Sequence, residues 1–264
     1  MNRPAKIERG GMTGTDLKKT FGFFSVSPEE RRRRIRALFD AVAARYDLMN
    51  DLMSFGIHRL WKRRFVSRVV QSLPQGGIVI DLAGGTGDVA RLIKRRRADA
   101  EVILVDPSVA MMREGRARHP KCLEHVFMVA AEGEALPFAD DSVDAITVSF
   151  GLRNMTDPDA ALDEMFRVLK PGGRLHCLEF STPQWWLKPF YDLYSFFIIP
   201  RLGAWVAKRP EAYRYLVESI RRFPGQKALA RKMRVAGFSD VSWRNLSFGI
   251  AAMHEGRKLA AGGQ

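Results

Sequence analysis

The stretch that most constrains this chain is "IVIDLAGGTGDVA", residues 78 to 90. An apolar run ends in Asp81, Gly84, Gly85 and Gly87 follow, and the pattern then turns helical. A strand that passes through a glycine-rich turn into a helix is the opening unit of a dinucleotide-type α/β fold, because only glycine lets the backbone turn tightly and approach a ligand closely. Gly85-x-Gly87-x-x-Ala90 satisfies that fingerprint in its final-alanine form, and Asp106 stands about 20 residues further on.

The sequence around this unit alternates in the same sense. Strand-like runs occupy Ile78–Leu82, Val102–Val105, Val126–Val129, Ala145–Phe150 and Arg174–Phe180, with helical or loop segments at 87–97, 108–118 and 157–169 between them. Strand-helix alternation at this spacing predicts a parallel sheet covered on both faces. Two further runs, Val241–Ser247 and Ile250–His254, predict a closing hairpin at one edge. Upstream, Ser27 caps a helix expected from Pro28 to about Met53, and a second helix is expected from His58 to Gln71. Residues 183–237 interrupt the alternation as a helical insertion. One domain over 21–259 follows, with a cap at 28–72, a flexible basic tail at 1–20 and a short tail at 260–264.

The acids near the glycine turn bear on the ligand. A pyrophosphate sits at the positive N-terminus of the helix after the glycines. Asp88 stands at that terminus and Asp81 just before the turn, an arrangement repulsive to phosphate but suited to a cofactor with a cationic end. S-adenosylmethionine carries a sulfonium and an ammonium group, and its ribose diol calls for an acid such as Asp106. Glu132, after the third strand, falls where an adenine edge would lie.

Composition narrows the setting. With 46% hydrophobic and 27% charged residues, the 264-residue chain can bury a large core. A net charge of +14 predicts an anionic partner surface, although runs such as Arg31-Arg32-Arg33-Arg34 and Lys62-Arg63-Arg64 read first as solvated helix faces. Two cysteines without metal-ligand spacing give neither a disulfide framework nor a zinc site, so no metal is expected. No apolar run is long enough to span a bilayer. The N-terminus lacks the apolar core of a secretory signal, and Met12 is an alternative start.

Together, "DLAGGTGD", "VDPS", "AEGEALPF", "FGLRN" and "VLKPGGRL" resemble class I methyltransferases, a Rossmann-like fold. With "FDAVAARYDLMNDLMSFGIHRLWK" and "EAYRYLVESIRRFP" they resemble the ubiquinone/menaquinone biosynthesis C-methyltransferases, over residues 21 to 259. The resemblance implies a seven-stranded sheet, last strand antiparallel, with S-adenosyl-L-methionine at the carboxyl ends of the strands. It implies cofactor contacts from Thr86, Asp106, Glu132, Gly133 and Ser149, beside the glycine turn of Gly85 and Gly87 and its neighbour Asp81. It places Arg153 and Asn154 against the substrate ring, where a guanidinium would favour phenolate, and brings Tyr46 to the site from the N-terminal block. His58 and His254 are further candidate bases. Glu132-Gly133, Arg209-Pro210 and Phe248 depart from the family pattern.

The implied reaction is methylation of a ring carbon of a polyprenyl quinol, demethylmenaquinol or a methoxy-polyprenyl-benzoquinol. The implied location is cytoplasmic, peripherally attached to the inner face of an anionic membrane, with assembly alongside other quinone-pathway proteins or as a homo-oligomer left open. An aromatic segment, 183–207, reads either as a packed helix pair or as a lipid-facing lid. The alternatives are a methyltransferase for another lipid, a non-catalytic assembly paralogue, and an RNA-modifying enzyme. The last would need a nucleic-acid-binding module that the sequence does not display, so no nucleic acid partner is expected.

Overall fold

The computed structural model describes residues 17–194 and 210–259. The expectations for the tail up to residue 16 with Met12, for 195–209 of the aromatic segment with Arg209, and for 260–264 lie outside the described residues.

Seven strands form one sheet: β3 (Ile78–Leu82), β4 (Glu101–Val105), β5 (Val126–Val129), β6 (Val143–Ser149), β7 (Leu169–Phe180), β8 (Ser239–Leu246) and β9 (Ala251–Arg257). A separate pair, β1 (Thr20–Phe21) and β2 (Phe24–Ser25), precedes them. The sheet order is β5-β4-β3-β6-β7-β9-β8, parallel except for β9, which runs antiparallel to both neighbours. From β3 the chain winds outward through β4 and β5, then returns to place β6 on the other side. The β3–β6 boundary is therefore a switch point, where the carboxyl ends of open α/β sheets leave a crevice.

Both faces of the sheet are covered, which is why the central strands read as continuous apolar runs. On one face, Ile80, Leu82, Ile146 and Val148 pack with Leu162 and Met165 of α7 (Pro158–Val168) and Leu229 and Met233 of α10 (Gln226–Val235). On the other, Val79, Val102, Leu104 and Ala145 pack with Phe65, Val66 and Val69 of α3 (Ile57–Ser72) and Val89, Ala90 and Ile93 of α4 (Asp88–Arg96). The remaining helices are α1 (Pro28–Val42), α2 (Tyr46–Ser54), α5 (Val109–Arg118), α6 (Pro120–Leu123), α8 (Lys188–Leu193) and α9 (Pro210–Arg222).

Three local expectations are corrected. The first long helix does not run unbroken to residue 53. A 3-10 turn at Ala43–Arg45 separates α1 from α2, where the Arg118 guanidinium takes the Ala44 carbonyl. The strand expected from Arg174 begins at Leu169, because a bulge between Val143 and Ala145 lets Leu169 pair with Val143. The basic runs are not simply solvated faces: Arg31 and Lys62 are 2% and 8% exposed. Ser27 does cap α1, its hydroxyl accepting from the Glu30 amide at 3.1 Å.

Candidate active site

The strand ends at the switch point wall an open cavity, the place where open α/β sheets bind their ligands. β3 contributes Leu82, Ala83 and Gly85, the β4 end Asp106, Pro107 and Ser108, the β5 end Glu132 and Gly133, and the β6 end Phe150, Gly151 and Asn154. Ala83 and Phe150, at the ends of the two central strands, both adopt positive φ (53° and 59°). Such strain in non-glycine residues collects at functional sites. Gly151 follows Phe150 because a Cβ there would come within 2.5 Å of the Ala83 Cβ.

Asp106 is the most constrained polar group on the wall. Its carboxylate accepts from the Gly85 amide at 2.9 Å and the Ser108 amide at 2.8 Å, which fixes the glycine turn against β4. Burial pushes its carboxyl up to about 6, against the pull of those two amides. Each oxygen keeps a further lone pair. Glu132 is held by Arg36 of α1 at 2.8 Å.

Helix α1 closes the cavity from above. Arg32, Ile35, Arg36 and Phe39 line it, and Asp40 accepts from the Ser108 hydroxyl. Arg31, one residue back, points the other way and donates to the carbonyls of Thr20, Arg153 (3.0 Å) and Met155 (3.1 Å). These α1 residues were missed in the sequence. Arg32 and Arg36 are one turn apart with Ile35 and Phe39, a mixed helix face, but nothing local says which surface that face covers.

Of the expected cofactor residues, Gly85, Asp106, Glu132 and Gly133 line the cavity, whereas Asp81, Thr86, Gly87 and Ser149 do not. Asp81 lies behind the turn, accepting from the Ala90 amide and the Thr147 hydroxyl, each at 2.9 Å. Gly87 has φ +80°, and a Cβ there would meet Leu104 and Leu123 at 3.0–3.2 Å, so it serves packing beneath α4. Asp88 is turned onto Lys62 (3.0 Å) and Arg91 (2.7 Å). Its charge is compensated inside the protein, which removes it from the phosphate-repulsion argument. The Ser149 hydroxyl is buried with no hydrogen-bond partner.

Tyr46 and Asn154 line the cavity, but Arg153 does not. The Arg153 guanidinium, 5% exposed, pairs with Glu179 at 2.8 Å, donates to the Phe150 carbonyl and lies 5.2 Å over the Phe180 ring. Where the sequence expects this guanidinium against a ring oxygen, the structure pairs it with a buried carboxylate, because Glu179, 1% exposed on the neighbouring strand, has to be compensated. His58 and His254 are bound to Ser54 and to the Gln226 carbonyl, off the cavity, and burial pushes both down to about 4. Among the described residues no cluster of His, Cys, Asp and Glu could hold a metal ion.

A model of the ubiE/COQ5 methyltransferase family matches residues 26–258. A relative from Rubrivivax gelatinosus, named ubiquinone/menaquinone biosynthesis C-methyltransferase UbiE, is 60% identical over 248 residues, covering 94% of this chain and 96% of that one. The chain belongs to the ubiE/COQ5 methyltransferase family. A Serratia proteamaculans relative of the same name is 49% identical over 245 residues, covering 90% and 96%. A methyltransferase solved with the Trm112 activator of Haloferax volcanii shares the fold at TM-score 0.60 and 19% identity, covering 84% and 98%. A Thermotoga maritima S-adenosylmethionine-dependent methyltransferase shares it at 0.59 and 24%, covering 85% and 99%. The chain is accordingly an S-adenosylmethionine-dependent methyltransferase. Its residues fit that cofactor: Asp106 has lone pairs to spare and Gly85 turns where backbone must come close.

The Arg153–Glu179 pair yields a stability prediction. Arg153→Met leaves a buried carboxylate uncompensated and should destabilise the fold by about 3–5 kcal/mol. The double variant Arg153→Met/Glu179→Leu should recover most of that loss. Urea unfolding of the three proteins checks it, and equal losses in the single and double variants would refute it.

Proposed function

We propose that this protein methylates a ring carbon of a polyprenyl quinol in ubiquinone and menaquinone biosynthesis, with the methyl drawn from S-adenosylmethionine. The observation that carries the reading is the two-part character of the cavity. Along β3, β4 and β5 it offers Gly85, Asp106, Ser108 and Glu132 to a polar ligand. Along α1, α2 and β6 it offers Phe39, Tyr46, Phe150 and Met155 to a flat apolar one. The names of the relatives supply the identity of the second ligand.

Bound there, the cofactor supplies an electrophilic methyl on a positive sulfur. The rest is the work of the chain. Asp106 would accept the ribose hydroxyls and Glu132 and Gly133 would face the adenine edge, while Thr86 and Ser149, which do not line the cavity, would back the turn and the β6 end beside the methionine part, with Asp81 and Gly87 holding the turn in shape. Asn154 donates to the ring oxygen. A phenol has a pKa near 10, so at neutral pH only about one molecule in a thousand is ionised. A donor held against that oxygen favours the ionised form and raises electron density on the neighbouring carbon. Tyr46 stands on the same wall as the hydroxyl available to relay the proton. Arg153 fixes the 150–155 loop from behind.

The substrate's apolar tail bears on where the enzyme works. Phe55 is 74% exposed just past the end of α2, whose first residue is Tyr46, and it packs against Tyr194 at 5.6 Å. Leu193, Trp185 (85% exposed) and Phe248, which meets Trp186 at 5.2 Å, extend the strip. Exposed Lys188 opens α8, which carries Leu193, and exposed Arg63 and Arg64 lie on α3, the helix that follows Phe55. Exposed aromatics beside cations suit a lipid interface, and basic residues near an anionic surface add about 1 kcal/mol each. This supports peripheral attachment to the cytoplasmic face of an anionic membrane, with the tail leaving the cavity along α2. Among the described residues no helix is long and apolar enough to cross a membrane.

Three outcomes are expected. Purified protein given methyl-labelled S-adenosylmethionine and a reduced short-chain demethylated quinol should place label on a ring carbon; no transfer to either a benzoquinol or a naphthoquinol would sink the reading. Cofactor affinity, measured by calorimetry, should be flat above pH 7 and fall as pH drops through about 6, by up to tenfold per unit. The sign follows from Asp106, which must be ionised to accept two hydroxyls, and Asp106→Asn should remove the pH dependence together with most of the affinity. In vesicle flotation, binding to phosphatidylglycerol vesicles should exceed binding to phosphatidylcholine. Phe55→Ser/Trp185→Ser should lower it at least fivefold without shifting the melting temperature; unchanged flotation would refute the docking strip.

A further inference from the structure

Asn154 is held by two contacts of opposite sense. Its Nδ2 donates to the Phe150 carbonyl at 3.3 Å, and its Oδ1 accepts from the Tyr215 hydroxyl at 3.2 Å. Tyr215 lies in α9, 61 residues away in the chain, and is only 4% exposed. Its ring stacks on Phe21 with centroids 4.5 Å apart and planes 18° from parallel, so the hydroxyl is aimed by packing at both ends. Burial raises the phenol above its ordinary value, so it remains a donor at neutral pH.

A side-chain amide can present either its oxygen or its nitrogen to a ligand, and its neighbours decide which. Tyr215 holds one Oδ1 lone pair and the Phe150 carbonyl one Nδ2 hydrogen, so Asn154, which lines the cavity, keeps its second Nδ2 hydrogen for a ligand while its Oδ1 is drawn toward Tyr215, which does not line the cavity. We propose that Tyr215 is a positioning residue that fixes the Asn154 amide in the orientation presenting a hydrogen-bond donor, and not an acceptor, to the methyl-accepting substrate. Recognition is then selective for a ring oxygen that gains negative charge as the new bond forms. Without the Tyr215 hydroxyl, Oδ1 loses its partner and is free to turn toward the cavity, where it would compete for the proton of the ring hydroxyl instead of stabilising its loss. The inference rests on the quinol methyltransferase reading for the identity of the acceptor, but the orientation of the amide does not.

Tyr215→Phe keeps the ring stacked on Phe21 and deletes only the hydroxyl. Full-length wild type, Tyr215→Phe, Asn154→Ala and the double variant are compared in quinol methylation, with cofactor KM measured in each. The expected result is a fall in kcat of about 5- to 30-fold for Tyr215→Phe, cofactor KM within about twofold, and less than about twofold further loss when Tyr215→Phe is added to Asn154→Ala. A kcat within twofold of wild type, or a Tyr215→Phe penalty undiminished beside Asn154→Ala, overturns the proposal. A second readout does not depend on turnover: the side-chain amide resonances of Asn154 in the 15N-labelled protein with S-adenosylmethionine, assigned by their loss in Asn154→Ala. Tyr215→Phe should shift or broaden them, and unchanged resonances overturn the proposal. A wild type that methylates no quinol while these resonances respond would overturn the substrate reading and leave the positioning role standing.

Discussion

The buried carboxylate of Asp81 is the joint on which the site hangs. It lies one residue before the end of β3, accepts from the amide of Ala90 in the first turn of α4, and accepts from the hydroxyl of Thr147 directly across on β6. One side chain thus ties the two central strands to the helix that follows the glycine turn. A Cβ on Gly84 would come within 2.9 Å of its Oδ2, so the turn is shaped around the carboxylate. Asp81 is 1% exposed, and that burial pushes the group up to about 7 even with two donors in place. A charge in so dry a place is tolerated only when its lone pairs are satisfied, and satisfying them sets the path of residues 82–90.

From that joint the cavity is assembled by elements remote in sequence. Asp106 pulls the turn onto β4, and α1 crosses over the strand ends, bonded to Glu132 through Arg36 and to Ser108 through Asp40. The 150–155 loop is fixed from three directions: Glu179 holds Arg153, Arg31 gathers the carbonyls of Arg153 and Met155, and Tyr215 reaches Asn154. Cap and insertion therefore hold the cavity wall in place. Polar contacts of this kind, shielded from water, fix one geometry because each unpaired alternative leaves a buried group unsatisfied.

The departures between sequence and structure share one cause. Arg153 stands in a motif that points to a substrate contact, yet its partner Glu179 is 26 residues away and adjacent only because β6 and β7 pair. Asp88 reads as a bare helix-start acid until α3 brings Lys62 to it. Arg31 reads as one of four solvated arginines until the fold supplies three carbonyls for it.

By itself the sequence determined which segments are strands, the parallel winding with its closing hairpin, the glycine turn and the acid at the end of β4. Each of these is written in local terms, as apolar periodicity, glycine where φ must be positive, or an acid at fixed spacing from the turn. Tertiary structure alone decided which charged side chains face the cavity and which are consumed in holding it. Charge pairing depends on distances set by strand order and helix crossing, and a basic or acidic residue carries no local mark of the partner that will neutralise it.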